Sequence, residues 1–275
     1  MKILVTGAGG KTGRAIIRQL DRAGIEVVAF VRKKRPFPSH ISQVLGDLES
    51  EADLKKAVDG VDKIYLICPN MHPREFEIGK LVVKVAKETA VSHIVYHSVL
   101  HPQVEAMPHH WHKMRFEEHL FESNIPFTIL QPTAYMQNIQ LDRVKETAVY
   151  QTPYPVTAQI SLVHLDDVAE IAAKVLTESG HLGAIYELVG TMPLTQTAVA
   201  EAISEALKIP VEAKEQSLSE WQNQAQAAQL PKHTIQTLKK MFQYYAKFGL
   251  IGNPMVLKML LGREPRGLGD WMIGY

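Results

Sequence analysis

Short apolar runs alternate with amphipathic stretches through the first half of the chain. Ile3, Leu4 and Val5 form an apolar run that enters a glycine-rich turn. Ile16, Ile17, Leu20 and Ala23 then recur on one helical face before Gly24 ends the helix. Residues 26–31 predict a second strand, 43–45 a third and 51–59 a short helix. Residues 63–68 predict a buried strand stopped by Pro69, followed by a helix over 73–90 and a strand over 93–98. A helix over 108–123 leads to a strand at 127–131, stopped by Pro132. This alternation predicts an α/β fold in which a parallel sheet carries helices on both faces.

Beyond Pro132 the rhythm loosens. Residues 133–147 predict a helix, and 150–161 a polar excursion containing proline. A strongly amphipathic helix follows over 165–176, with Asp166 and Asp167 suited to its positive N-terminal end. Residues 185–188 predict a strand and 195–207 a helix. The stretch 217–262 is mostly helical, with Pro231 at a helix start and Gly249, Gly252 and Pro254 as breaks. We read one Rossmann-type, doubly wound domain with its core at about residues 1–133 and 161–190. A smaller, mainly helical C-terminal substrate lobe, about 134–160 and 191–275, is expected over the carboxyl edge of the sheet. That edge is where open α/β sheets bind ligands.

Composition narrows the setting. The 275 residues are 46% hydrophobic and 21% charged, the usual balance for a globular protein that stays in solution. With 30 basic against 29 acidic residues, the chain has no general attraction to nucleic acid or to an anionic membrane. Its only cysteine, Cys68, cannot form an internal disulfide. No apolar run approaches a membrane span, and the glycine turn begins too early to leave room for a leader. A cytoplasmic location is expected, and a homo-oligomer is left open.

The first β-to-α junction is the strongest chemical signal. Gly7, Gly10 and Gly13 form GxxGxxG, with Gly9 inside the turn. One glycine makes such a turn, one lets backbone amides reach phosphates, and one lets the helix pack on the strand. Gly7, Gly9, Gly10, Lys11, Thr12 and Gly13 are therefore candidate contacts for a dinucleotide. At the tip of the second strand no acid stands ready for a ribose hydroxyl, and Arg32 is followed by Lys33, Lys34 and Arg35. Arg32 and Lys33 suit a 2′-phosphate, so the expected cofactor is NADP, with NAD as the alternative. Asp47 either reaches the adenine amino group or simply caps its turn. Cys68 and Pro69 end the fourth strand near the middle of the expected dinucleotide, and Cys68 reads as a small buried residue.

Residues 93–119 hold seven of the twelve histidines. They straddle a strand end, a loop and a helix, and adjacent His109 and His110 point roughly 100° apart on a helix. That scatter argues against a metal centre, and polar helix and loop histidines are expected instead. Trp111, Met114 and Phe121 are spaced as core contacts of their helix.

Ser98 ends the fifth strand, and Lys113 lies on the next helix four residues after His109. Short-chain dehydrogenases place a serine and a Tyr-x-x-x-Lys at these positions, whereas this chain carries His-x-x-x-Lys. The chain resembles the NmrA-like family of atypical short-chain dehydrogenases/reductases in several further stretches. These are TGAGGKTG at 6–13, Gly46-Asp47-Leu48, YHSVLHPQ at 96–103, HHWHKMRFEEHL at 109–120 and PFTILQPTAYMQN at 126–138. The later HLDDVA at 164–169 and LGREP at 261–265 match as well, so the resemblance covers nearly the whole chain.

That resemblance implies NAD(P) binding and, as the leading function, an NADPH-dependent oxidoreductase acting on a carbonyl, quinone or other conjugated acceptor. A cofactor-binding redox sensor, or a non-redox lyase or isomerase on the same scaffold, are the rivals. By the same resemblance Lys113 would bond the nicotinamide ribose, and Ser98 would hold a substrate carbonyl oxygen or the carboxamide. Leu48 would belong to the cofactor site, Pro132 and Thr133 would line the nicotinamide, and Tyr135, Gln137 and Asn138 the substrate cleft. The usual phenol acid is absent at 109. His109 would either act as a general acid near neutral pH or merely order its loop. A small-molecule substrate is the expected partner, with no direct nucleic-acid binding.

Overall fold

Ile3, Leu4 and Val5 are fully buried in β1 (Lys2–Val5), a strand with apolar neighbours on both faces. The computed structural model describes residues 1–273 and divides the chain into two units. The first holds residues 1–103, 110–131 and 168–186, and the second holds 104–109, 132–167 and 187 onward.

In the first unit β1 leads to α1 (Lys11–Arg22), β2 (Glu26–Val31), β3 (Ser42–Leu45) and α2 (Glu51–Ala57). Next come β4 (Lys63–Leu66), α3 (Glu75–Lys87), β5 (His93–His97), α4 (Pro108–Glu122) and β6 (Phe127–Pro132). The strands form a seven-stranded sheet in the order Ile185–Leu188, β6, β5, β4, β1, β2, β3. Pairing is parallel, as with Ile3 beside both Val27 and Lys63, and Tyr96 beside Ile129. The order reverses between β1 and β4, so the carboxyl ends of these strands form the switch point of a doubly wound sheet.

Helix packing follows from the sequence pattern. α1 buries Gly13, Ala15, Ile16, Ile17 and Leu20, and Gly24 ends it with a positive φ of 69°. α3 buries Ile78, Val82, Val83 and Ala86 over Ile64, Leu66 and Ile94. At Gly79 a Cβ would overlap the Phe116 ring, so α3 and α4 approach closely only because that residue is glycine. Phe116 also meets Tyr96 edge to face at 4.6 Å. The buried residues of α4 include Phe116, Glu117 and Leu120. Phe121, expected in the core, is 54% exposed, and Trp111 and Met114 are half-buried. Apolar spacing alone pointed to the wrong face of α4, because its packed side also carries charged residues.

In the second unit the helix expected over 133–147 is only its last turns, Leu141–Thr147. The preceding residues form the short strand Ala134–Tyr135, parallel to Leu162–Val163, and a turn of 3-10 helix. The expected excursion at 150–161 overlaps the strand Val149–Thr152, which pairs with Glu212–Glu215. Pro231 precedes the helix Lys232–Phe248, and Gly249 ends it. Asp167, expected at a helix N-terminus for its charge, is fully buried. It accepts from Arg263 Nη2 at 2.8 Å and the Arg266 backbone amide at 2.7 Å, and pairs with the Arg266 guanidinium. This anchors the C-terminal Arg-rich turn within the unit. Among the described residues no helix is long and apolar enough to cross a membrane.

Candidate functional site

The turn after β1 is tight at Gly7 and has no room for a side chain at Gly13. Gly7 has φ +58°, and a Cβ there would lie 3.0 Å from Ile67 Cβ. A Cβ on Gly13 would lie 2.5 Å from the Gly7 carbonyl oxygen and 2.7 Å from Ala8 Cα. The Gly10 amide donates to Gly7 O at 3.0 Å, and Gly10 then caps α1 without a side chain. Lys11 and Thr12 form the first turn of α1. Bare backbone at a helix N-terminus presents N–H groups and a partial positive charge, which fits a diphosphate.

Guanidinium groups gather beside this cradle. Arg14 Nε donates to Gly9 O at 3.2 Å, and its guanidinium lies 5.4 Å from the Phe37 ring centre. The Arg35 Nε lies 3.1 Å from where a Cβ on Gly9 would stand. Arg32 and Lys33 are exposed after β2. Of the four adjacent cations, Arg35 is therefore the one shown against the glycine turn. Nothing in the local pattern distinguished it from its neighbours.

Other expected cofactor residues have defined places. Asp47 Oδ1 accepts from the Glu49 amide at 3.0 Å, a turn contact, while the residue stays exposed. Leu48 packs in the hydrophobic core. Cys68 is buried, and that burial pushes its thiol pKa well above the usual value; Pro69 follows it, half-buried.

At the carboxyl end of β5 two buried carboxylates organise the polar groups. The Lys113 ammonium donates to Glu75 Oε1 at 2.6 Å and to the His97 carbonyl at 3.3 Å. Glu75, the first residue of α3, is only 1% exposed and also accepts from the Tyr96 hydroxyl at 2.8 Å. Burial, then the Glu75 charge, pushes the Tyr96 phenol well above its usual range. Ser98 is buried and donates to Glu117 Oε1, and Gln131 Nε2 donates to the same carboxylate. Burial raises the Glu117 pKa, while the Ser98 and Gln131 hydrogen bonds and the Lys113 charge oppose the rise. Neither Glu75 nor Glu117 stood out in the sequence. On the opposite sheet face Tyr65 OH meets His97 Nδ1 at 2.7 Å.

The histidines depart from expectation. His93, His97, His109 and His110 are buried rather than displayed on helix and loop surfaces. His110 Nδ1 lies 3.1 Å from the His101 carbonyl, and His93 Nε2 lies 2.9 Å from Thr128 Oγ1. Within the second unit, Pro132 and Thr133 are buried, and Thr133 Oγ1 donates to Ser161 O at 2.8 Å. Tyr135 is half-buried beside Val163, Gln137 Oε1 accepts from the Leu165 amide at 3.0 Å, and Asn138 is exposed.

A sequence model of the NmrA-like family matches residues 1–270. NAD(P)H azoreductase of Xenophilus azovorans is 28% identical over 217 residues, covering 76% of this chain and 75% of the relative. Quinone oxidoreductase 2 of Escherichia coli is 26% identical over 276 residues, covering 98% and 96%. The crystal structure of the Escherichia coli NADPH-dependent quinone oxidoreductase with NADPH superposes with a TM-score of 0.84, at 25% identity over 98% of both chains. Triphenylmethane reductase of Citrobacter sp. gives a TM-score of 0.86, at 25% identity over 99% of this chain and 98% of that one.

Proposed function

The chain belongs to the NmrA-like family, and we propose that it is an NADPH-dependent reductase of quinones or of related conjugated acceptors such as azo and triarylmethane dyes. One observation carries the cofactor reading above the others. The Gly7–Gly13 turn leaves no space for a Cβ at Gly13, the close helix-on-strand packing that brings the bare N-terminus of the helix Lys11–Arg22 against a bound diphosphate. The reductases of quinones and dyes among its relatives support the acceptor class.

When bound, the reduced nicotinamide would supply the hydride. The chain's own residues then have separable tasks in this reading. Gly7, Gly9, Gly10, Lys11, Thr12 and Gly13 hold the diphosphate. Arg32, Lys33 and Arg35, with Arg14 beside the loop, hold the 2′-phosphate. Lys113 has three ammonium protons, two directed to Glu75 and His97, which leaves one for a ribose hydroxyl or a developing oxyanion. His109, one turn earlier on α4, is the proposed proton donor, and Tyr135, Gln137 and Asn138 belong to the acceptor site. A small molecule is the partner and the cytoplasm the compartment, which the net charge of +1 and the lone Cys68 support.

NADPH is expected to bind at least about tenfold more tightly than NADH, since each charge-assisted hydrogen bond contributes about 1.5–3 kcal/mol. Arg35→Ala should remove more of this preference than Lys33→Ala, because Arg35 already lies over Gly9. Titration of both nucleotides checks it, and equal affinities in the parent protein would remove the 2′-phosphate assignment. Turnover is tested by following NADPH absorbance as benzoquinones, naphthoquinones and azo dyes are added. Tight NADPH binding without consumption of any acceptor would favour the redox-sensor reading instead.

A further inference from the structure

A serine hydroxyl carries one proton and can accept two hydrogen bonds. At Ser98 the proton already has a destination, the Glu117 Oε1 atom on α4. The same carboxylate receives Gln131 Nε2 at 3.1 Å on Oε1 and 2.9 Å on Oε2. Ser98 is 3% exposed, Glu117 2% and Gln131 7%, so bulk water offers little competition for these bonds. Donors from two strand ends converge on Glu117, and the Lys113 charge acts from its own helix. Burial raises the Glu117 pKa and these groups oppose the rise, while the geometry makes the carboxylate the acceptor of every one of these hydrogen bonds. Ser98 is left with acceptor capacity alone.

Its place in the sheet indicates what it faces. Ser98 follows β5, two strands from β1 on the side away from β2 and β3, or roughly 10 Å across the sheet. A dinucleotide gripped after β1, with its adenosine toward β2, extends its nicotinamide toward β4 and β5. We propose that Glu117 is a positioning residue that engages the single Ser98 proton, so that Ser98 reads the carboxamide N–H of the nicotinamide as a hydrogen-bond acceptor and does not donate to the acceptor's oxygen. This rests on the cofactor reading above. It assigns stabilisation of the substrate oxygen to Lys113, not to the serine.

The test uses binding without turnover. In the 3-acetylpyridine analogue of NADP+ a methyl group replaces the amide nitrogen, while the carbonyl remains. Calorimetric titration of the parent protein should show NADP+ binding about fivefold more tightly than the analogue, the worth of one net hydrogen bond. Ser98→Ala should close that gap, and Ser98→Thr should keep it. Glu117→Gln should also close it, because the new amide donates to Ser98 and turns the serine proton outward. Equal affinities in the parent protein, or a gap that survives Ser98→Ala, would overturn the assignment of Ser98. A gap that survives in folded Glu117→Gln would overturn the role of Glu117. If Glu117→Gln does not fold, the parent and Ser98→Ala titrations still decide the assignment of Ser98, and Glu117→Asp, too short to hold the Ser98 proton as Glu117 does, takes its place: a gap that survives there would overturn the role of Glu117. Failure to bind either nucleotide would instead sink the cofactor reading itself.

Discussion

Acidification from pH 6.5 to about 4.5 is expected to remove about 6 kcal/mol of stability, within the range of the whole stability of an ordinary domain. Three buried histidines produce the effect. Burial, with Lys63 and His181 nearby, pushes the His93 pKa down to about 4. Burial, then the Lys113 charge, lowers His97 to about 3. Burial lowers His110 to about 4, despite its hydrogen bond to the His101 carbonyl. Each imidazole stays neutral in the native state, whereas in the unfolded chain it protonates near the ordinary value of about 6.5. The unfolded state therefore binds up to three more protons in this window, each worth about 1.4 kcal/mol per pH unit. Stability is full above the unfolded pKa and falls as the pH drops toward the native values. Glu117 works in the opposite sense, since its raised pKa lets the native state take up a proton earlier, but it is one group against three. Thermal melts followed by circular dichroism across this range check the prediction. A midpoint that stays flat between pH 7 and 5 would show that these histidines are solvated. His93→Gln, which keeps a polar partner for Thr128, should flatten the slope by about one proton.

The division between what could and could not be read from the sequence follows range of interaction. The Gly7–Gly13 turn and the alternation of strands and helices depend on neighbours within a few residues, and both appear in the structure. The strand Glu212–Glu215 is Glu-Ala-Lys-Glu, mostly exposed and without apolar alternation. Only its pairing with Val149–Thr152, about sixty residues earlier, makes it a strand, and no local signal announces that. The site divides the same way. Ser98 and Lys113 became candidates only through the resemblance to short-chain dehydrogenases, which place a serine and a lysine at these positions. Glu75 stands in the first turn of a helix, where the dipole welcomes any acid, so nothing local marks it. Its role depends on Lys113, 38 positions away, and on the Tyr96 hydroxyl. Arg35 was hidden among four like charges, because which cation folds back over Gly9 depends on the path from β2 to β3.

Lys113→Met is expected to abolish turnover and to lower stability by about 3–5 kcal/mol, because it leaves Glu75 charged and buried without its partner. Only the Tyr96 hydroxyl would remain on that carboxylate. Glu75→Gln should cost less, since the lysine side chain is partly exposed and can turn toward water. The double variant Glu75→Gln with Lys113→Met separates the two roles of the lysine. With no unpaired charge left inside, its melting temperature should recover much of the loss seen in Lys113→Met alone. Turnover should not recover, because the ammonium proton proposed to serve the ribose hydroxyl or developing oxyanion is gone. A double variant that regained activity along with stability would show that Lys113 acts only as a structural counterion. The two single variants adding without coupling would show that the 2.6 Å contact contributes little. In the expected outcome one side chain holds two elements together through Glu75 and presents its remaining charge to the cofactor. An uncharged residue at 113 can supply neither function.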